Sequence, residues 1–161
     1  MDEKAKRQKE QPLEVPYTDW RPEYLYSLAE LSPFFREIID HKKLMGARCP
    51  KCTKVWMPPR VYCSDCYETT EWVPLSGEGT IRACTYCYFI GMSGDLLTHL
   101  GLPYVYSLIK LDGADTYMAH GVKPKGQKMG EIRKGMRVKA VFREERRGTI
   151  ADFYFVPIEE G

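Results

Sequence analysis

Four cysteines in two tight pairs constrain this chain more than any other feature. Cys49 and Cys52 bracket Pro50-Lys51, Cys63 and Cys66 bracket Ser64-Asp65, and ten residues separate the pairs. Two Cys-x-x-Cys turns at that separation can present four thiolates to one tetrahedral ion. With sulfur in every position, no place remains for water or substrate. The site is therefore structural rather than catalytic, and Zn2+ is the ion expected; iron would use the same ligands. The segment between the pairs, Val55-Trp56-Met57-Pro58-Pro59-Arg60-Val61, is short, apolar and broken by proline, which suits the turn of a small ribbon. Two disulfides are the alternative for the same thiols, and a reducing compartment disfavours them.

That compartment is expected to be the cytoplasm. The first ten residues are charged and no apolar segment follows them, unlike a secretory signal. No apolar run approaches the roughly 20 residues that span a bilayer, so no membrane partner is expected. At 161 residues, 43% hydrophobic and 29% charged, the chain suits a small metal module plus one compact domain. The net charge of +2 hides an asymmetry. Residues 121–147 hold ten Lys/Arg against three Glu, which leaves fourteen basic against nineteen acidic residues elsewhere. A basic stretch on an otherwise acidic chain suits an anionic partner, although solvated surface lysines give the same composition.

Residues 1–31 read as an N-terminal arm, polar and partly disordered at first, then aromatic. Tyr17, Trp20, Tyr24 and Tyr26 sit between prolines in a segment that cannot easily stay solvated, so they are the residues proposed to meet a partner or the arm's own domain. Ser32-Pro33 opens a helix, Ser as N-cap and Pro in the first turn. Phe34, Phe35, Ile38 and Ile39 recur at helical spacing, and the helix is expected to end near Lys43, with Gly46 beyond it. With the ribbon, this makes a unit over 32–70, in which the metal substitutes for a hydrophobic core too small to form alone. Over 71–161 the texture is that of strands. Trp72–Leu75 opens the series; Thr80–Ile90, Tyr104–Leu111, Thr116–Val122, Met136–Phe142 and Thr149–Val156 follow, with a hairpin turn at Asp112–Asp115. Five strands with one longer link after the third suit a closed barrel of the OB type. The fold class is mainly β: an N-terminal helix and rubredoxin-like zinc ribbon, then a five-stranded OB-fold barrel.

With these pieces in order, the chain resembles a two-domain zinc-ribbon/OB-fold family, long catalogued as a domain of unknown function and associated with thiolases and acyl-CoA enzymes. The likeness runs from about Ser32 to Pro157. It is carried by Pro33-Phe34-Phe35, the two cysteine pairs, Met57-Pro58-Pro59-Arg60, Gly79-Thr80-Ile81, Leu102-Pro103-Tyr104-Val105, Gly135-Met136-Arg137-Val138 and Phe155-Val156-Pro157. The resemblance implies a non-catalytic accessory or scaffold subunit in a hetero-oligomer with a thiolase-like or related acyl-CoA enzyme. One family setting is degradation of aromatic compounds or steroids, where a thiolase subunit pairs with such a chain; benzoylsuccinyl-CoA thiolase has a zinc-finger subunit of this type.

Other candidate chemistry is sparse. Cys84 and Cys87 repeat the Cys-x-x-Cys spacing, but on a strand residues three apart face opposite ways, so both read as packed thiols. His41, His99 and His120 are scattered, and His120, beside Gly121, is the candidate for a polar contact on the barrel. There is no glycine-rich phosphate loop and no Gly-x-Ser-x-Gly elbow; the chain is not expected to be an enzyme on its own. Lys123, Lys125, Lys128 and Arg133 are the candidates to meet coenzyme A phosphates. Single-stranded nucleic acid is the alternative ligand, since OB barrels bind it through aromatic platforms and basic grooves, but the acidic remainder of the chain disfavours it.

Overall fold

The computed structural model describes residues 27–89, 100–126 and 128–158. The aromatic residues Tyr17, Trp20, Tyr24 and Tyr26 lie outside the described residues, as do Ile90 and His99. The chain enters through a 3-10 turn at Ala29–Leu31 and continues into helix α1, Ser32–His41. Ser32 is not the N-cap that its sequence position suggests. It is already helical, and its N–H donates to Ala29 O, so the 3-10 turn satisfies one of the free backbone donors of the helix's first turn. The exit falls close to Lys43, as expected, but Gly46 takes no part in the cap. Lys42 adopts the left-handed conformation (φ 54°) and donates its N–H to Glu37 O, and Lys43 N–H reaches the same carbonyl at 3.2 Å. Gly46 has another purpose. It lies inside strand β1, Leu44–Arg48, where an added Cβ would come within 2.8 Å of Val55 Cγ1.

β1 is the centre of a three-stranded antiparallel sheet, flanked by β2 (Val55–Trp56) and β3 (Glu71–Leu75). The strand at 71–75 thus pairs along its whole length with β1, from Leu44↔Leu75 to Arg48↔Glu71, and the barrel strands begin after it. They are β4 (Glu78–Cys87), β5 (Tyr104–Leu111), β6 (Met118–Val122), β7 (Arg137–Phe142) and β8 (Phe153–Pro157), closed in the order β4-β5-β6-β8-β7. All neighbours are antiparallel except β6 and β8, which meet in parallel at Val122↔Phe155. That order and single parallel closure define an OB barrel. Gly79 lets β4 and β5 approach so closely that a Cβ there would lie 2.5 Å from Lys110 O.

Between β6 and β7 a 3-10 turn at Met129–Glu131 leads to Ile132, which is fully buried and plugs the barrel core. Its carbonyl accepts from Tyr86 Oη at 3.1 Å and Cys84 Sγ at 3.6 Å. Residues 150–152, expected as part of the last strand, form a further 3-10 turn. The buried Asp152 explains it: its Oδ2 collects the N–H groups of Arg147, Gly148 and Thr149 at 2.7–2.9 Å, which curls the chain before β8 can begin. One apolar cluster joins the modules, running from Phe34 and Ile38 of α1 through Leu44 and Met57 to Ile81, Ile109, Phe153 and Phe155 of the barrel.

Candidate metal centre

Each cysteine pair sits on the same backbone device. In the first, Cys49 N–H donates to Lys54 O and Thr53 N–H to Cys49 O, both at 2.9 Å. In the second, Cys63 N–H donates to Glu68 O and Tyr67 N–H to Cys63 O, again at 2.9 Å. The residue after each second cysteine is left-handed, Thr53 at φ 64° and Tyr67 at φ 59°. Such a turn aims two side chains the same way, and the ribbon sheet brings the two turns face to face. The four Sγ atoms lie within 4.8 Å of one another, and none is in a disulfide. A tetrahedral ion held about 2.3 Å from each sulfur requires sulfur–sulfur separations of about 3.8 Å; Cys52 Sγ and Cys63 Sγ stand 3.7 Å apart. The donor set therefore fits a structural zinc closed to substrate. Cys49 and Cys63 are buried, Cys66 is half-buried and Cys52 is exposed.

The thiols are electrically unequal. Hydrogen bonding with Cys52, then burial, pushes Cys66 up to about 12. At Cys63 burial acts upward too, but the backbone N–H groups of Asp65 and Cys66 and the indole of Trp56 outweigh it, bringing the thiol down to about 6. Zinc would bring all four to the thiolate form by displacing their protons.

The ribbon is tied to the barrel beside this centre. Val55 N–H donates to Asp115 Oδ2 at 2.8 Å, and Asp115 N–H returns to Val55 O at 2.8 Å. Thr116 Oγ1 accepts from Met57 N–H at 2.7 Å and donates to Met57 O at 2.9 Å. The β5–β6 turn thus grips the strand that follows the first cysteine pair.

The remaining candidates fall into three places. Lys123 and Lys125 line a cleft of about 320 Å³ on the barrel wall, together with Pro124, Lys139, Val141, Tyr154 and Val156. Lys128 and Arg133 do not line it: they are exposed on the loop around Met129–Glu131, where Lys128 N–H donates to Glu131 Oε2 and Arg133 N–H points at Met136 Sδ. Lys139, which the sequence reading missed, takes their place, because β7 is closed against β8 and its outward residues stand beside Tyr154. Cys84 and Cys87 face opposite sides of β4, Cys84 opposite Ser107 and Cys87 opposite Tyr104. His120 is buried; its Nδ1 accepts from Gly121 N–H at 2.7 Å, so Nε2 carries the proton donated to Ile150 O at 2.9 Å. Its ring packs on Phe153 at 4.5 Å between centroids, a structural placement rather than a catalytic one.

Fold and metal centre together define a zinc-ribbon protein with an appended OB barrel. Residues 36–72 match the family model for the rubredoxin-like zinc ribbon domain of ChsH2, and residues 72–143 that for the ChsH2 C-terminal OB-fold domain. A DUF35 domain-containing scaffold protein of Methanocaldococcus jannaschii is 32% identical over 136 residues, covering 78% of this chain and 89% of that relative. This chain belongs to the DUF35 family of zinc-ribbon/OB-fold proteins. Among solved structures, one described as an Ltp2-ChsH2(DUF35) aldolase is similar with a TM-score of 0.59 and 20% identity, over 85% of this chain and 97% of that one. A DUF35 protein of unknown function from Sulfolobus solfataricus gives 0.51 and 22%, over 68% and 73%. At such identities the likeness shows the shared fold. No helix among the described residues is long and apolar enough to cross a membrane.

Proposed function

We propose that this chain is a scaffold subunit that docks a thiolase-type acyl-CoA enzyme, as in breakdown of aromatic compounds, and supplies no catalytic group of its own. The observation that carries this reading is the outer face of β4, β5 and β6. Cross-strand register puts Ala83 beside Leu108 and Thr85 beside Tyr106, with Ala119 and Gly121 on the other flank. Tyr106, Leu108 and the neighbouring Tyr117 remain 39%, 38% and 44% exposed. Small residues around projecting aromatic and aliphatic ones make a dry surface suited to the apolar centre of a protein interface. The family relative named as a scaffold protein supports the same role, and so does the structural neighbour whose name joins a ChsH2 DUF35 chain to an aldolase.

The test is affinity purification of the tagged chain from its own source, with retained proteins identified and their ratio measured. A thiolase-fold enzyme in fixed ratio is expected, lost when Tyr106 is replaced by Glu. Recovery of the chain alone, or with RNA, would overturn the reading.

The acyl-CoA contribution is the finer part. The cleft sets Lys123, Lys125 and Lys139 around Val141, Tyr154 and Val156, a combination suited to a ligand that is part aromatic and part phosphate. Its size, at the low end of ligand sites, suits the nucleotide end of coenzyme A rather than the whole molecule. Titration calorimetry with coenzyme A esters is expected to give heat that falls with added salt. No heat at high micromolar ester would remove this part and leave the docking role standing.

A further inference from the structure

Among the described residues, Trp56 and Ser107 each bury a side-chain polar atom that finds no hydrogen-bond partner, and of the two Trp56 packs against the metal centre. It sits on the two-residue strand β2, between the cysteine pairs, and is 7% exposed. Its Nε1 is sealed from solvent and finds no partner at ordinary hydrogen-bond geometry. An indole N–H can only donate, and a buried donor without an acceptor is rare in a native fold. The ring belongs to the small cluster of Ala47, Cys49 and Cys63, with Cys66 packed against it, so the acceptors it packs among are cysteine sulfurs, and the indole is one of the groups that lower the Cys63 thiol.

Its orientation is over-determined. Lys54 Nζ lies 4.3 Å from the ring centroid and the Arg60 guanidinium 4.8 Å. Both cations are anchored to the interior of the second cysteine pair, Lys54 to Asp65 at 2.8 Å and Arg60 to Ser64 Oγ at 2.6 Å. The ring is thus held by residues from both knuckles.

We propose that Trp56 Nε1–H donates a hydrogen bond to the Cys63 thiolate of the zinc-loaded site and so positions and quiets that ligand. A thiol is a weak acceptor and a zinc-bound thiolate a strong one, so the orphan donor acquires its partner when the metal binds. Withdrawing charge from Cys63 leaves it a poorer nucleophile. The exposed Cys52 is then the sulfur that electrophiles reach first. Partners of this kind around a metal ligand alter metal affinity by about 10- to 100-fold when removed.

The direct experiment uses the full chain loaded with cadmium-113. The Trp56 indole proton should show scalar coupling to the metal through the N–H···S contact, a signature that packing alone does not produce. Absence of that coupling overturns the proposal. In the zinc-loaded chain, Trp56→Phe keeps a buried ring and removes the donor. Zinc release during alkylation by N-ethylmaleimide should then accelerate about tenfold, and mass mapping should find Cys63 modified earlier. A release rate and alkylation order equal to those of the unaltered chain would also overturn it.

Discussion

The ribbon and the barrel of this protein are held together by different physics. The barrel encloses a cluster of large apolar side chains, with Phe153, Phe155, Ile81, Ile109 and Met118 almost or entirely removed from water. The ribbon has Ala47, Trp56 and its cysteines, too little apolar area to offset the entropy of ordering its chain. The metal supplies what is missing. The lesson is that the two halves answer to different perturbations, while the Val55–Asp115 and Met57–Thr116 hydrogen bonds let one feel the other.

Removing the metal should have the largest effect. Cys49→Ser or Cys63→Ser takes away a buried ligand, and structural zinc binding contributes about 10–16 kcal/mol in isolated fingers. Zinc content is expected to fall toward zero by metal analysis, with loss of the ribbon's circular-dichroism signal. Full zinc retention would break the four-ligand account. Next is the barrel: Phe153→Ala should lower stability by about 3–5 kcal/mol, read as a lower thermal midpoint, without emptying the zinc site. Asp152→Ala strips three backbone donors of their carboxylate. A loss of about 2 kcal/mol is expected in urea unfolding, with the 143–152 loop protected less from proteolysis.

Two smaller changes sharpen the comparison. Thr116→Val removes both of its hydrogen bonds to Met57. It should cost about 1–2 kcal/mol and reduce the shift in the barrel's midpoint on zinc removal; an unchanged shift would mean the seam does not couple the modules. Tyr67→Gly relieves a left-handed, exposed tyrosine. The gain in the ribbon's midpoint should be small, about half a kcal/mol, because glycine also loses more freedom on folding.

Much of this was legible in the sequence, and the reason differs by region. The metal centre was readable because ligand chemistry fixes residue type and spacing together. Strands such as Tyr104–Leu111 and Arg137–Phe142 were readable from alternation and flanking turns. What the sequence hid depended on partners far along the chain. Nothing in Glu71–Leu75 says that it pairs with β1. Gly46 looks like a helix stop until Val55 is seen crossing it. Thr149–Asp152 is the exception, since its residues look strand-like but the donors that curl it, Arg147, Gly148 and Thr149, are local, and Thr149 and Asp152 form a capping box. Lys139 joins Lys123 and Lys125 only because the barrel closes through β8. Trp56 did leave a signal, a lone tryptophan between two cysteine pairs, but its role rests on one buried N–H left without a partner.

The division between a metal-held and an apolar-held half is tested most directly by hydrogen exchange on the full chain, with zinc bound and after chelation. The account predicts that amides of residues 47–56 and 63–75 lose protection when zinc leaves. Those of 105–111 and 153–157 should keep it, with a partial loss at 114–116 marking the seam. Equal loss across both halves, or none in the ribbon, would contradict it.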